Sequence, residues 1–143
     1  MKKAFSLIEI IVVIVVISII ASFLISKYAT SINSTVKTTV KADIALINSA
    51  ITKKNTKNIL LNKSKITYLD NAMTNQKGLE IFDNILQVPM ISTSSSQKEL
   101  GKWIKISNNK YRVYLSKLEF LEYRFKNDSF SCVSDLKLCK EFE

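Results

Sequence analysis

From residue 7 to residue 25 the chain is apolar except for Glu9, Ser18 and Ser22. Counted from Phe5, about 21 residues at about 1.5 Å each make roughly 31 Å of helix, the thickness of a bilayer's hydrocarbon layer. The run is rich in Ile and Val, which favour strand in water, but it is too long for one strand, and in lipid only a helix satisfies its own backbone. It reads as a transmembrane helix over residues 5–26. Met1, Lys2 and Lys3 form a short basic head, so the competing reading is a secretory signal peptide cut near Ala21 or Ser22. Two features oppose it. The run exceeds a usual signal-peptide core, and beyond it Ile32, Val36, Val40, Ile44, Ile47 and Ile51 recur at helical spacing. No Pro or Gly lies between Met1 and Lys77. The pattern predicts one helix from about Phe5 to about Thr52, on the order of 70 Å long.

The rest of the composition excludes more than it suggests. With 143 residues the chain is one domain with a modest core. It has no His, two Cys and two Gly, so it cannot build a His/Cys metal cage, a His-based triad or a Gly-rich phosphate loop. Paired acids such as Glu119 and Glu122 sit in no inferable cleft and read as surface charges. Asp128 and Asp135 lack the oxygen-rich spacing of a calcium loop. No catalytic or metal-ligating set emerges.

Glu9 is the informative exception inside the apolar run. An ionisable side chain costs about 2.5–3.5 kcal/mol at the centre of a membrane helix and less toward the interface. The bland reading is a carboxylate that snorkels to water or stays protonated. The sharper one is a partner cation within the apolar layer, for which the chain offers only Lys2, Lys3 and the amine that begins the mature protein.

Lys2-Lys3-Ala4, then Phe5-Ser6-Leu7-Ile8-Glu9 and an apolar helix to Ile25, resembles the prepilin N-terminus of type IV pilins and of the pseudopilins of type II secretion and DNA-uptake machines. The resemblance implies that an inner-membrane prepilin peptidase cuts between Ala4 and Phe5 and methylates the new Phe5 amine, while Glu9 stays in the helix for subunit assembly. Ala4 stands where the family usually has Gly, and the helix-kinking Pro of many members is missing. In a helical filament the Glu9 carboxylate of one subunit would meet the Phe5 amine of its neighbour in a dry core, where attraction is poorly screened. Such a pair would also set the axial register between subunits.

Lys2 and Lys3 favour a cytoplasmic N-terminus, but Lys27, Lys37 and Lys41 follow the span closely, so charge alone does not decide orientation. The resemblance implies the N-terminus inside, the C-terminal part periplasmic, and a filament after assembly. Cys132 and Cys139 have neither a metal-type spacing nor a His partner, which favours a disulfide in an oxidising compartment over two free thiols. Its loop is short and would gain roughly 2.5 kcal/mol in the chain-entropy model. The family often carries a C-terminal disulfide loop.

Past the stem, residues 53–58 read as a polar exit from the helix. Gly78 precedes Leu79, Phe82, Ile85 and Leu86 at helical spacing, predicting a short helix ended by Pro89. Residues 92–97 read as a solvated loop. From Trp103 the period becomes two, predicting hairpins of 103–107 with 111–116 and of 120–126 with 129–133. Ile104, Ile106, Val113, Leu115, Leu121, Tyr123 and Phe125 are the expected core, covered by the Ile32–Ile51 stripe. The expected class is α+β and pilin-like, a long N-terminal hydrophobic helix whose second half packs on a small antiparallel β-sheet. The expected divisions are a leader (1–4), a transmembrane or filament-core helix (5–26), its amphipathic half (27–58) and a small exported domain (59–143).

The net charge of +9 is uneven. From Lys27 to Lys65 every charged residue but Asp43 is a lysine, whereas bases and acids nearly balance from residue 69 on. A solvated helix face beside anionic lipid is the bland reading, and DNA contact the sharp one. Lys102, Trp103, Lys105, Lys110 and Arg112 mix cations with an aromatic as nucleic-acid tips do, although strand alternation makes Trp103 a core or interface residue more often. The expectation is a structural assembly subunit, not an enzyme, whose partners are prepilin peptidase, other pilin-like subunits and the inner membrane. The alternative is a membrane-anchored receptor for DNA.

Overall fold

The computed structural model describes residues 7–142, and over 23–33 the backbone alone. The chain divides into two compact units, Met1–Thr35 and Val36–Glu143. Helix α1 (Leu7–Leu60) runs through both for 54 residues, as a stretch without Pro or Gly allows. In the first unit its residues 7–20 are exposed and, apart from Glu9 and Ser18, apolar on every side. Among the described residues no helix is long and apolar enough to cross a membrane.

In the second unit α1 is amphipathic, and Val40, Ile44, Ile47 and Ile51 are buried in the core. Each such side chain contributes about 1.5–3 kcal/mol by leaving water. Val36 packs at the edge of the same core, while Ile32 lies among the residues described by backbone alone.

The expected polar exit at 53–58 is helical instead, because polar residues do not end a helix unless they offer the backbone an alternative. The stop comes at Asn62, whose φ of 54° is left-handed, a conformation Asn tolerates better than most residues. Lys63 N–H donates to Asn58 C=O at 2.8 Å and Asn62 N–H to Ile59 C=O at 3.0 Å, the paired bonds of a Schellman cap.

Beyond α1 come β1 (Glu80–Ile81), β2 (Met90–Ile91), β3 (Trp103–Ser107), β4 (Lys110–Tyr114), β5 (Phe120–Lys126), β6 (Ser129–Cys132) and helix α2 (Leu136–Phe142). β1 and β2 pair as a two-stranded ribbon, and β3-β4-β5-β6 form an antiparallel meander in chain order. Both predicted hairpins of the larger sheet are present, to within two residues at each end.

The short helix expected between Gly78 and Pro89 is absent. Ile81 and Phe82 are buried, but as the end of β1 and the turn after it, and only one helical turn follows as Ile85 and Leu86 N–H donate to Phe82 C=O. Phe82 sits at φ 62°, costly for a bulky residue, and its N–H is held by the Asp70 carboxylate at 3.1 Å. The 92–97 stretch is not wholly solvated either, since Ser92 and Thr93 are buried. Ser92 binds both sides of the ribbon's approach: its Oγ donates to Gln76 C=O at 2.7 Å and accepts from Leu79 N–H at 3.0 Å.

One expected core face needs correction. Trp103, Tyr111, Val113, Leu121, Tyr123, Phe125 and Phe130 join Phe82 under α1, so on β3 the residues facing the helix are Trp103 and Lys105. Ile104 is buried outside that cluster and Ile106 is half-exposed. A pattern of apolar residues on both faces of β3 hid the phase.

Candidate functional site

The first unit's chemistry lies at the start of α1. Ala4 and Phe5, the expected processing residues, lie outside the described residues, as do Lys2 and Lys3. Glu9 stands in the first turn of the described part of α1. It is exposed among exposed Leu7, Ile8 and Ile10, and among the described residues no cation is bridged to it. The other polar groups there are satisfied internally: Ser18 Oγ donates to Ile14 C=O at 2.7 Å and Ser22 Oγ to Ile19 C=O at 3.1 Å. Helix 7–22 can therefore enter an apolar medium with one unmet demand, the Glu9 carboxylate. A helix apolar all round is stable only inside lipid or among other helices.

In the second unit the basic residues of β3 and β4 are taken up by the fold. Trp103 is buried and its Nε1–H donates to Asp43 Oδ2 at 2.9 Å. Burial raises the Asp43 carboxyl, against the Trp103 hydrogen bond and nearby Lys102, which lower it. Lys110 and Arg112 share Glu122, at 2.5 and 2.6 Å. Burial alone would raise Glu122, but these two cations outweigh it and hold the carboxyl below its ordinary value. Arg112 also stacks 4.1 Å over the Phe120 ring. Of the five candidates for a nucleic-acid tip, Lys102 alone is fully exposed.

Lys105 carries the largest surprise. It is buried, and its Nζ donates to Asp70 Oδ1 at 2.7 Å and to Asp70 C=O at 3.0 Å. Asp70 also accepts from Tyr111 Oη–H at 2.7 Å, Phe82 N–H at 3.1 Å and Ala72 N–H at 3.1 Å. Burial, then the neighbouring Asp70 charge, pushes the Tyr111 phenol far up, so it stays a neutral donor. Every acceptor of Asp70 is engaged, and the network ties β3 and β4 to the loop after α1. Its sequence signal was a lysine two residues from a buried tryptophan on one strand, hence on the same face.

The remaining candidates are structural too. Asp128 pairs with Lys65 and accepts from Asn55 Nδ2 at 3.1 Å, while Asn55 Oδ1 accepts from Ile66 N–H at 2.9 Å. Asp135 caps α2, its Oδ1 accepting from Lys137 N–H at 2.8 Å. Cys132 and Cys139 form a disulfide with a Cα separation of 5.7 Å, fastening α2 to β6. Phe142 buries the far end of α2 and Glu141 meets Lys37 at 2.5 Å. Helix α2 was not foreseen.

A long N-terminal helix followed by a small antiparallel sheet is a pilin-like α+β arrangement. Residues 1–25 match the family model of the prokaryotic N-terminal methylation motif, the prepilin-type cleavage and methylation motif of type IV pilin-like proteins. The motif is one that type IV pilin-like proteins carry, and the α+β arrangement that follows it is pilin-like. No curated protein and no solved structure matches the chain significantly.

Proposed function

We propose that this protein is a pilin-like subunit, a pseudopilin or minor pilin, that is processed between Ala4 and Phe5, held in the inner membrane and assembled into a filament. The carrying observation is the methylation motif at 1–25 leading into an α1 whose first part exposes apolar side chains all round while its later part is buried under a sheet. In this reading residues 1–4 are the leader and 5–26 cross the bilayer with the N-terminus cytoplasmic. Residues 27–58 are the amphipathic half, and 59–143 are the exported part. Within the filament Glu9 meets the methylated Phe5 amine of a neighbour. The machine served is a type II secretion, type IV pilus or DNA-uptake system.

Coexpression with a prepilin peptidase tests the reading directly. Intact-mass measurement should show a chain shortened by residues 1–4 with a methyl group on Phe5. A mature N-terminus between Ala21 and Lys27 would identify an ordinary signal peptide.

The DNA-receptor alternative keeps the lysines of α1 and, from the β3–β4 cluster, Lys102, since Lys105, Lys110 and Arg112 are paired. If Lys53, Lys54 and Lys57 serve DNA, binding should fall steeply with salt, and changing them to Gln should flatten the slope by about 0.9 for each phosphate no longer neutralised. The expected result is weak or no duplex binding at low ionic strength in a filter-retention titration.

A further inference from the structure

The turn between β4 and β5 has an unusual apex. Leu118 is 92% exposed, the most exposed large apolar side chain described, yet the turn that presents it is tightly built. Ser116 Oγ accepts from Leu118 N–H at 3.2 Å and Glu119 N–H at 2.9 Å, and Glu119 C=O accepts from Leu115 N–H at 2.9 Å and Ser116 N–H at 3.1 Å. Lys98 Nζ reaches Lys117 C=O at 3.4 Å. These bonds satisfy the N–H groups of Leu115, Ser116, Leu118 and Glu119 and the Lys117 carbonyl, which lowers the cost of moving the apex into a less polar medium.

The turn also stands at a definite end of the second unit, the end at which the chain enters it through Val36. Gly101, whose N–H donates to Tyr114 C=O at 2.8 Å, lies beside the Val36 side chain. Glu119 attracts Lys37 electrostatically, and Lys37 is bridged to Glu141 on α2. Lys98, Lys117, Lys137 and Lys140 are exposed about this end, against the exposed carboxylates of Glu119, Asp135 and Glu141, the last of them bridged to Lys37. An apolar apex with a cationic rim fits the boundary layer of an anionic bilayer, where side chains sink about 5–10 Å and each nearby lysine strengthens attachment about fivefold.

We propose that Leu118 and its neighbouring lysines dock this domain on the anionic lipid surface of the membrane that anchors α1. The proposal rests on the membrane-anchored reading above. Docking would store the subunit against the bilayer before extraction, and anionic headgroups would compete with assembly for it.

The test uses the full chain in nanodiscs of phosphatidylcholine, with or without phosphatidylglycerol, carrying brominated acyl chains that quench tryptophan on contact. Trp103 is buried in the core and gives a constant background. Leu118→Trp should lose about half of its added emission in anionic discs, as a side chain at the acyl boundary does, and little in neutral ones. Lys98→Gln with Lys117→Gln should restore it. Leu60→Trp, at the far end of α1, should stay unquenched in both. Val13→Trp reports the anchor. Quenching at Val13→Trp with none at Leu118→Trp in anionic discs overturns the docking while sparing the anchor, whereas no quenching at either overturns both. An added tryptophan shielded from aqueous acrylamide but not reached by bromine would mean that a second copy covers the tip, and would also overturn docking on lipid.

Discussion

Glu9→Val should leave membrane insertion intact and reduce subunit assembly by a factor of hundreds or more. Replacing the carboxylate with Val removes the one group in the 7–22 segment that an apolar medium penalises, so the monomer should accumulate in the membrane at least as well as wild type. The filament loses more than it gains. In the proposed packing the methylated amine at Phe5 of a neighbour is left in the dry core without its counter-charge. Stranding one member of a buried ion pair costs about 3–5 kcal/mol, hence the size of the expected effect. Crosslinking between subunits at equal membrane levels reads it. Undiminished crosslinks would return Glu9 to an interfacial carboxylate with no part in assembly. Glu9→Gln should fall between the two, since an amide fits the space and accepts a hydrogen bond but brings no charge.

Periodicity alone located the parts that are periodic. The Val40, Ile44, Ile47 and Ile51 stripe is buried as expected, and the hairpins centred on Asn108-Asn109 and Asn127-Asp128 fall where alternation and turn residues met. The methylation motif was legible because it is a local string of residue types. What stayed hidden was set by tertiary contacts. Phe82, Ile85 and Leu86 are spaced as on a helix, yet pairing of Glu80 with Ile91 and of Ile81 with Met90 drew their segment into a ribbon. Two-residue strands carry no period to detect. α1 outlasted its predicted end because its lysine and asparagine side chains point outward or into specific bonds, as Asn55 does with Asp128 and Ile66.

The basic cluster on β3 and β4 shows why charge read along a sequence misleads about surfaces. Lys105, Lys110 and Arg112 look like a cationic strip until Glu122 is brought opposite Arg112 across the β4–β5 ladder and Asp70 is brought under Lys105. Their partners are respectively 10 and 35 residues away in sequence. No local pattern announces a partner at such a distance, and the strip becomes two ion-pair networks, a neutral one at Lys105 and Asp70 and one in which Lys110 and Arg112 share Glu122.

Asp70→Ala should be the most damaging single change in the second unit. Removal of the carboxylate leaves the Lys105 ammonium buried with one carbonyl, the Tyr111 hydroxyl without an acceptor, and the Phe82 and Ala72 N–H groups unpaired. Breaking a buried pair from one side costs about 3–5 kcal/mol, against a total stability of about 5–15 kcal/mol for a domain. Near 100 residues this corresponds to a fall in Tm of more than about 12 °C. The mirror change, Lys105→Met, should cost clearly less. It leaves Asp70 its bonds from Tyr111, Phe82 and Ala72, and Met is a flexible, unbranched replacement that adapts to irregular buried space. Thermal unfolding of the full chain in detergent, followed by the fluorescence of Trp103, measures both. Equal losses for the two variants would show that the ammonium charge alone matters. The larger loss at Asp70 would show that it is the acceptor on which the turn at Phe82, the loop after α1 and strands β3 and β4 converge.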